Sequence, residues 1–157
     1  MGELVLNGGN IENILDADGV YASVTAGTSM RPLFKTHRDM IVVKKVDAPL
    51  KKYDVALYKV GGKYILHRVI GFDREREVYI IRGDNTYAKE YIPKESILAV
   101  LVSFNRRGKH RDVTDFGYRV YSVVWNFIYP MRYIAHKCMS FARKFAKKII
   151  KKKSDGA

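Results

Sequence analysis

The sequence holds a single cysteine, Cys138, so no disulfide can form within one chain and a disulfide-stapled fold is excluded. That residue reads as an apolar filler of a helix. The histidines, His37, His67, His110 and His136, stand singly without ligand-like spacing, so neither a metal nor another cofactor is expected. Long apolar runs are missing as well. The densest, Val120 to Met131, is 12 residues, short of the ~20 that a bilayer-spanning helix needs. Met1 to Gly19 contains no lysine or arginine and no apolar core, and is expected to be neither a signal peptide nor a membrane anchor. Acid is scarce in the last third: Phe104 to Ala157 has 14 basic and 3 acidic residues, against 15 and 13 in Met1 to Ser103. The tail thus carries +11 of the net +13 and calls for an anionic partner, lipid or nucleic acid.

The chain of 157 residues is the size of one domain. Asn10 to Ala17 places Ile11, Ile14 and Leu15 on one face of a short helix that Gly19 would end. Short strands then follow: Val20 to Thr25, Met40 to Lys45, Val55 to Val60, Lys63 to Phe72, Val78 to Arg82 and Ile97 to Arg106. Gly61-Gly62 is a hairpin turn, and Asp73-Arg74-Glu75-Arg76-Glu77 a charged, solvated hairpin tip. Many short strands with frequent turns imply a mainly β, barrel-like core. The character changes near Val113 to Tyr118, giving two segments, 1–112 and 113–157. Tyr118 to Lys153 reads as helix interrupted at Pro130, with Ile134, Cys138, Phe141, Phe145 and Ile149 on one face and basic residues on the others.

The chemistry centres on Thr28-Ser29-Met30-Arg31-Pro32. Ala26-Gly27 permits a tight turn and Pro32 stops a helix, so the Ser29 hydroxyl is expected at a strand end, where it suits a nucleophile. Such a hydroxyl needs a base within hydrogen-bond reach. His67, inside the apolar run Tyr64 to Ile70, is the candidate, because an ordinary imidazole is mostly neutral at pH 7.

Four segments recur in a known order: Gly27 to Pro32, Asp54 to Tyr58, Tyr64 to Gly71, and Tyr79 to Asn85 with its Gly83-Asp84-Asn85. Together they resemble the boxes of type I signal peptidases and their relatives, the serine peptidases related to self-cleaving repressors, over roughly Tyr21 to Ser103. The resemblance implies a β-barrel core, Ser29 as nucleophile and His67 as base, the variant found in endoplasmic-reticulum and archaeal members. It implies a carboxylate orienting the imidazole. Asp84 and Glu90 are the alternatives, Glu90 standing six residues after Asp84 where the family has Asp. Gly27, Thr28 and Met30 would form the oxyanion and substrate-binding turn, with the Ser29 amide as main donor. The expected substrate is a signal or leader peptide, with small side chains at the first and third positions before the cut, held as an extended strand.

Most signal peptidases begin with a transmembrane helix, whereas here 28 residues precede Ser29. The basic amphipathic tail is the expected membrane contact, lying in the interface rather than spanning it, with the protein otherwise cytoplasmic. Truncation after Thr114 is accordingly expected to free the protein from membranes and leave peptide cleavage in place. The alternative is a non-enzymatic or repressor-like module binding nucleic acid through that tail. It is disfavoured because 28 residues leave no room for a helix-turn-helix domain before Ser29.

Overall fold

A computed structural model describes residues 5–6 and 11–154, with side chains for 11–143. Its elements in chain order are β1 (Val5–Leu6), α1 (Ile11–Asp18), β2 (Val20–Ala26), β3 (Met40–Lys45), β4 (Val55–Val60), β5 (Lys63–Asp73), β6 (Val78–Arg82), β7 (Glu90–Pro93), β8 (Ile97–Arg106), β9 (Lys109–Asp112), α2 (Phe116–Phe127) and α3 (Tyr129–Ser154). Among the described residues the strands form one antiparallel sheet in the order β1-β2-β3-β8-β4-β5-β6-β7. β9 pairs with β8, and β1 pairs with β5 as well as β2. The protein is mainly β with two C-terminal helices.

Turn chemistry explains the tight connections. Gly61 and Gly62, at φ 56° and 78°, supply the two left-handed positions that let β4 fold directly onto β5. At the charged tip, the Asp73 carboxylate accepts the amides of Glu75 and Arg76 at 3.1 and 3.2 Å. The six strands expected from periodicity all form. β1, β7 and β9 are not among them: at two to four residues each is too short to show an alternation, and β9 holds no β-branched residue and no Phe, Tyr or Trp.

β4 and β5 are interior strands of the sheet, and side-chain alternation divides them between two cores. Val55 and Leu57 join Tyr64 and Leu66 in a cluster with Met30, Phe34, Ile41 and Phe104. Ala56 and Tyr58 join Ile65 and Val69 in a second cluster with Tyr79, Ile81 and Ile92. Each fully buried large apolar side chain contributes roughly 1.5–3 kcal/mol. His67 therefore shares a face with Ile65 and Val69, and Arg68 takes the opposite face.

The chain divides into two compact units, Met1–Val123 and Val124–Ala157. The boundary expected at 112/113 moves because Val113, Tyr118 and Tyr121 pack against the larger core and Ser122 is buried. The first two turns of α2 are part of the β unit.

In the second unit the helix breaks at Ile128 rather than at Pro130 itself. The proline occupies the first turn of α3, where its missing N–H is no loss. Arg132 lies over the Trp125 ring at 3.7 Å, and Tyr129 stacks on Tyr133. Met131, Ile134, Met139 and Phe141 are all exposed, and Cys138 is exposed instead of filling an apolar contact. Among the described residues no helix is long and apolar enough to cross a membrane. Asn10, and the side chains of Phe145 and Ile149 on the expected apolar face, lie outside the described residues.

Candidate active site

Ser29 follows β2 in a turn that the sequence ties down at several points. Gly27 adopts φ 96°, a conformation that a side chain would strain, and its carbonyl accepts the Thr36 hydroxyl. Arg31 donates its amide to the Thr28 carbonyl at 3.2 Å, and Phe34 to that of Met30 at 3.1 Å. Met30 is fully buried in the core with Leu33 and Phe34. Its side chain anchors the turn, so any part it has in substrate binding falls to its backbone.

Gly83-Asp84-Asn85 grips this turn from the other side. The Asn85 amide donates to the Ser29 carbonyl at 2.7 Å, and the Asn85 side chain to the Thr28 carbonyl at 3.3 Å. Gly83 is the point of closest approach: a Cβ there would come 2.8 Å from the Ser29 carbonyl oxygen and 3.0 Å from His67 Nε2. Residue 83 must therefore be glycine, and the Ser29 backbone carbonyl and His67 Nε2 both border it.

His67, 2 % exposed, has its two ring nitrogens in different states. Nδ1 lies 2.8 Å from Glu90 Oε1 and 3.0 Å from the Tyr58 hydroxyl, which itself donates to Glu90 Oε2 at 2.7 Å. An ionised carboxylate only accepts, so Nδ1 donates to Glu90, and the tautomer that does so turns the lone pair of Nε2 away from Glu90. Among the described residues Nε2 is buried without a hydrogen-bond partner, an arrangement that typically costs ~1–3 kcal/mol. Burial pulls the Glu90 carboxyl up, but the hydrogen bonds from His67 and Tyr58 outweigh it and hold the group below the ordinary carboxylate range.

Of the two carboxylates considered as the imidazole's partner, geometry gives the contact to Glu90. Asp84 is engaged elsewhere: its Oδ1 and Oδ2 accept Arg68 Nε and Nη2 at 2.7 and 2.8 Å, and Oδ2 also accepts the Tyr121 hydroxyl at 2.9 Å. Arg68 is fully buried, its Nη1 donating to the Tyr53 carbonyl, the Tyr118 hydroxyl and Ser122 Oγ at 2.9, 3.3 and 2.8 Å. Burial alone would pull its pKa down, but the Asp84 charge and hydrogen bonds raise it above the ordinary value, so the guanidinium is permanently charged. The truncation after Thr114 is thereby recast. It would strip three hydroxyl partners from a buried ion pair that borders Gly83.

Sequence reasoning missed Tyr58, Arg68, Tyr121 and Ser122. For Arg68 a signal was present, because a charged residue inside the run Tyr64 to Ile70 must find a buried partner. Among the described residues no group of three or more His, Cys, Asp or Glu could hold a metal ion. No protein-family model matches the chain, and a search of curated proteins finds no match.

Proposed function

We propose that the protein is a serine endopeptidase with a signal-peptidase-like catalytic arrangement, acting on a leader or signal peptide. The observation that carries this reading is the buried His67 ring. Its Nδ1 is tied to Glu90, and among the described residues its Nε2 is left without a partner at the glycine that the Ser29 backbone carbonyl also borders. In this reading Ser29 Oγ attacks the scissile carbonyl and its proton passes to Nε2. The tetrahedral intermediate collapses with cleavage of the C–N bond, His67 protonates the departing amine, and water then releases the acyl group by the same route. Glu90 keeps the ring in the required tautomer and stabilises the imidazolium, while Asp84 holds the Gly83 turn. The circuit of pairings in which β1 joins both β2 and β5 supports the barrel core of that class. The exposed apolar residues of α2 and α3 beside a strongly basic tail support attachment to a membrane surface.

The test is covalent labelling by a fluorophosphonate together with cleavage of leader-like peptides, the cut sites mapped by mass spectrometry. Wild-type protein is expected to label once, at Ser29, and to cut, and Ser29→Ala to do neither. Cleavage that persists in the folded Ser29→Ala variant ends the serine-peptidase reading.

A further inference from the structure

A cavity of about 510 Å³ opens behind the nucleophile turn, with Leu33 and Phe104 on its floor and Tyr118 of α2 in its wall. Its rim is the β8–β9 hairpin. Phe104 pairs with Arg111 and Arg106 with Lys109, so alternation sets all four side chains on one face of the ladder. Arg107 completes the rim at the turn. Asp115 is the carboxylate in the lining, and it already accepts the Asp112 amide at 3.1 Å. Among the described residues Arg107, Lys109 and Arg111 take part in no ion pair, and Arg106 donates only to a neutral group, the Pro32 carbonyl, at 3.1 Å.

Like charges paired directly across a ladder are destabilising, so Arg106 opposite Lys109 works against the hairpin unless an anion lies between them. Arginine forks bind phosphate bidentately, which makes phosphate the fitting anion. The geometry points to a phosphate-bearing headgroup of an anionic phospholipid, at a bilayer surface, as the occupant of this cavity. Lipid is favoured by what stands next to the cations. Phe116, Val120 and Val123 of α2 form one outward stripe and are 83, 43 and 50 % exposed. A bilayer surface supplies phosphate to the rim and an acyl boundary to the stripe, whereas nucleic acid supplies only the first. The assignment rests on the membrane attachment proposed above and is independent of the peptidase chemistry.

The test uses the full chain and two charge-matched variants, Arg107→Gln/Lys109→Gln/Arg111→Gln in the hairpin and Lys151→Gln/Lys152→Gln/Lys153→Gln in the tail. The hairpin positions are exposed, and circular dichroism checks that both variants fold. Each variant should bind vesicles of phosphatidylcholine with phosphatidylglycerol about fivefold more weakly per charge removed. Only the hairpin variant should lose the chemical-shift changes that monomeric short-chain phosphatidylglycerol induces at the Leu33, Phe104 and Tyr118 amides. Inorganic phosphate at the same concentration should not reproduce those changes. A hairpin variant that titrates like wild type overturns the site. So do shifts matched by inorganic phosphate alone, and so does hairpin-dependent binding of a DNA duplex or an acidic peptide without binding of the lipid. Wild-type protein that ignores anionic vesicles altogether removes the membrane reading itself, a result distinct from each of these.

Discussion

His67 and Arg68 are consecutive residues of β5, both buried, and they face opposite sides of the sheet with opposite kinds of surroundings. Every nitrogen of the Arg68 guanidinium has an acceptor, and the paired carboxylate of Asp84 is itself sealed at 5 % exposure. Among the described residues the imidazole keeps one nitrogen unpartnered, and its carboxylate, Glu90, has a side chain 31 % exposed. A fully satisfied buried charge holds structure. A ring fixed at one end and unsatisfied at the other has somewhere to put a proton.

Exchanging the two residues for neutral ones should separate these roles. His67→Ala is expected to abolish cleavage, by about 10⁴- to 10⁶-fold if the pair with Ser29 acts as proposed, while leaving the melting temperature within a few degrees of wild type. Arg68→Met should do the reverse in kind: it leaves Asp84 buried without its counter-ion, at a cost of about 3–5 kcal/mol, or roughly 10 °C in melting temperature for a chain of this size. Differential scanning calorimetry beside a peptide-cleavage assay reads both. If His67→Ala unfolds the protein and Arg68→Met merely slows it, the contrast between the two sides is wrong.

The carboxylates offer a finer version of the same contrast. Glu90→Gln keeps the shape but can donate to Nδ1 and so favours the wrong tautomer, with an expected loss of about 10²- to 10⁴-fold in kcat. Because the folded state holds the Glu90 carboxyl below its ordinary range, this group's stabilisation is fully present above that range and is lost as pH falls through the depressed value. Glu90→Gln should therefore flatten the acid limb of thermal stability relative to wild type. An unchanged acid limb, measured by melting temperature against pH, would detach Glu90 from the folded-state network.

Much of this was legible in the sequence because periodicity reports which face a strand buries. Alternation gave Val55 to Val60 and Lys63 to Phe72 as a hairpin closed by two glycines, and placed His67 in a buried run. What periodicity does not report is which carboxylate crosses the sheet to meet the ring. Glu90 opens β7, a strand of four residues too short to announce itself, and only its pairing with β6 turns it toward His67. Periodicity likewise does not report how α2 is fastened to the β unit: Tyr118 and Tyr121 pack on the apolar core, and their hydroxyls, with Ser122, meet the buried Arg68–Asp84 pair.

Tyr58 should give the smallest effect and the sharpest measure of how the imidazole's side of the sheet is built. Its hydroxyl donates to Glu90 Oε2 and stands 3.0 Å from His67 Nδ1, so it positions the carboxylate without reaching Nε2. Tyr58→Phe removes one hydrogen bond, worth ~0.5–1.5 kcal/mol, and keeps the ring that packs in the Ile65 and Val69 cluster. The expected kcat loss is no more than about tenfold, with KM unchanged, since the hydroxyl acts on the base and not on substrate. The acid limb of kcat should move to higher pH, because Glu90 loses one of the donors that keep it ionised. A Tyr58→Phe variant with wild-type kcat and an unmoved acid limb would show that the Glu90–His67 contact stands without this support.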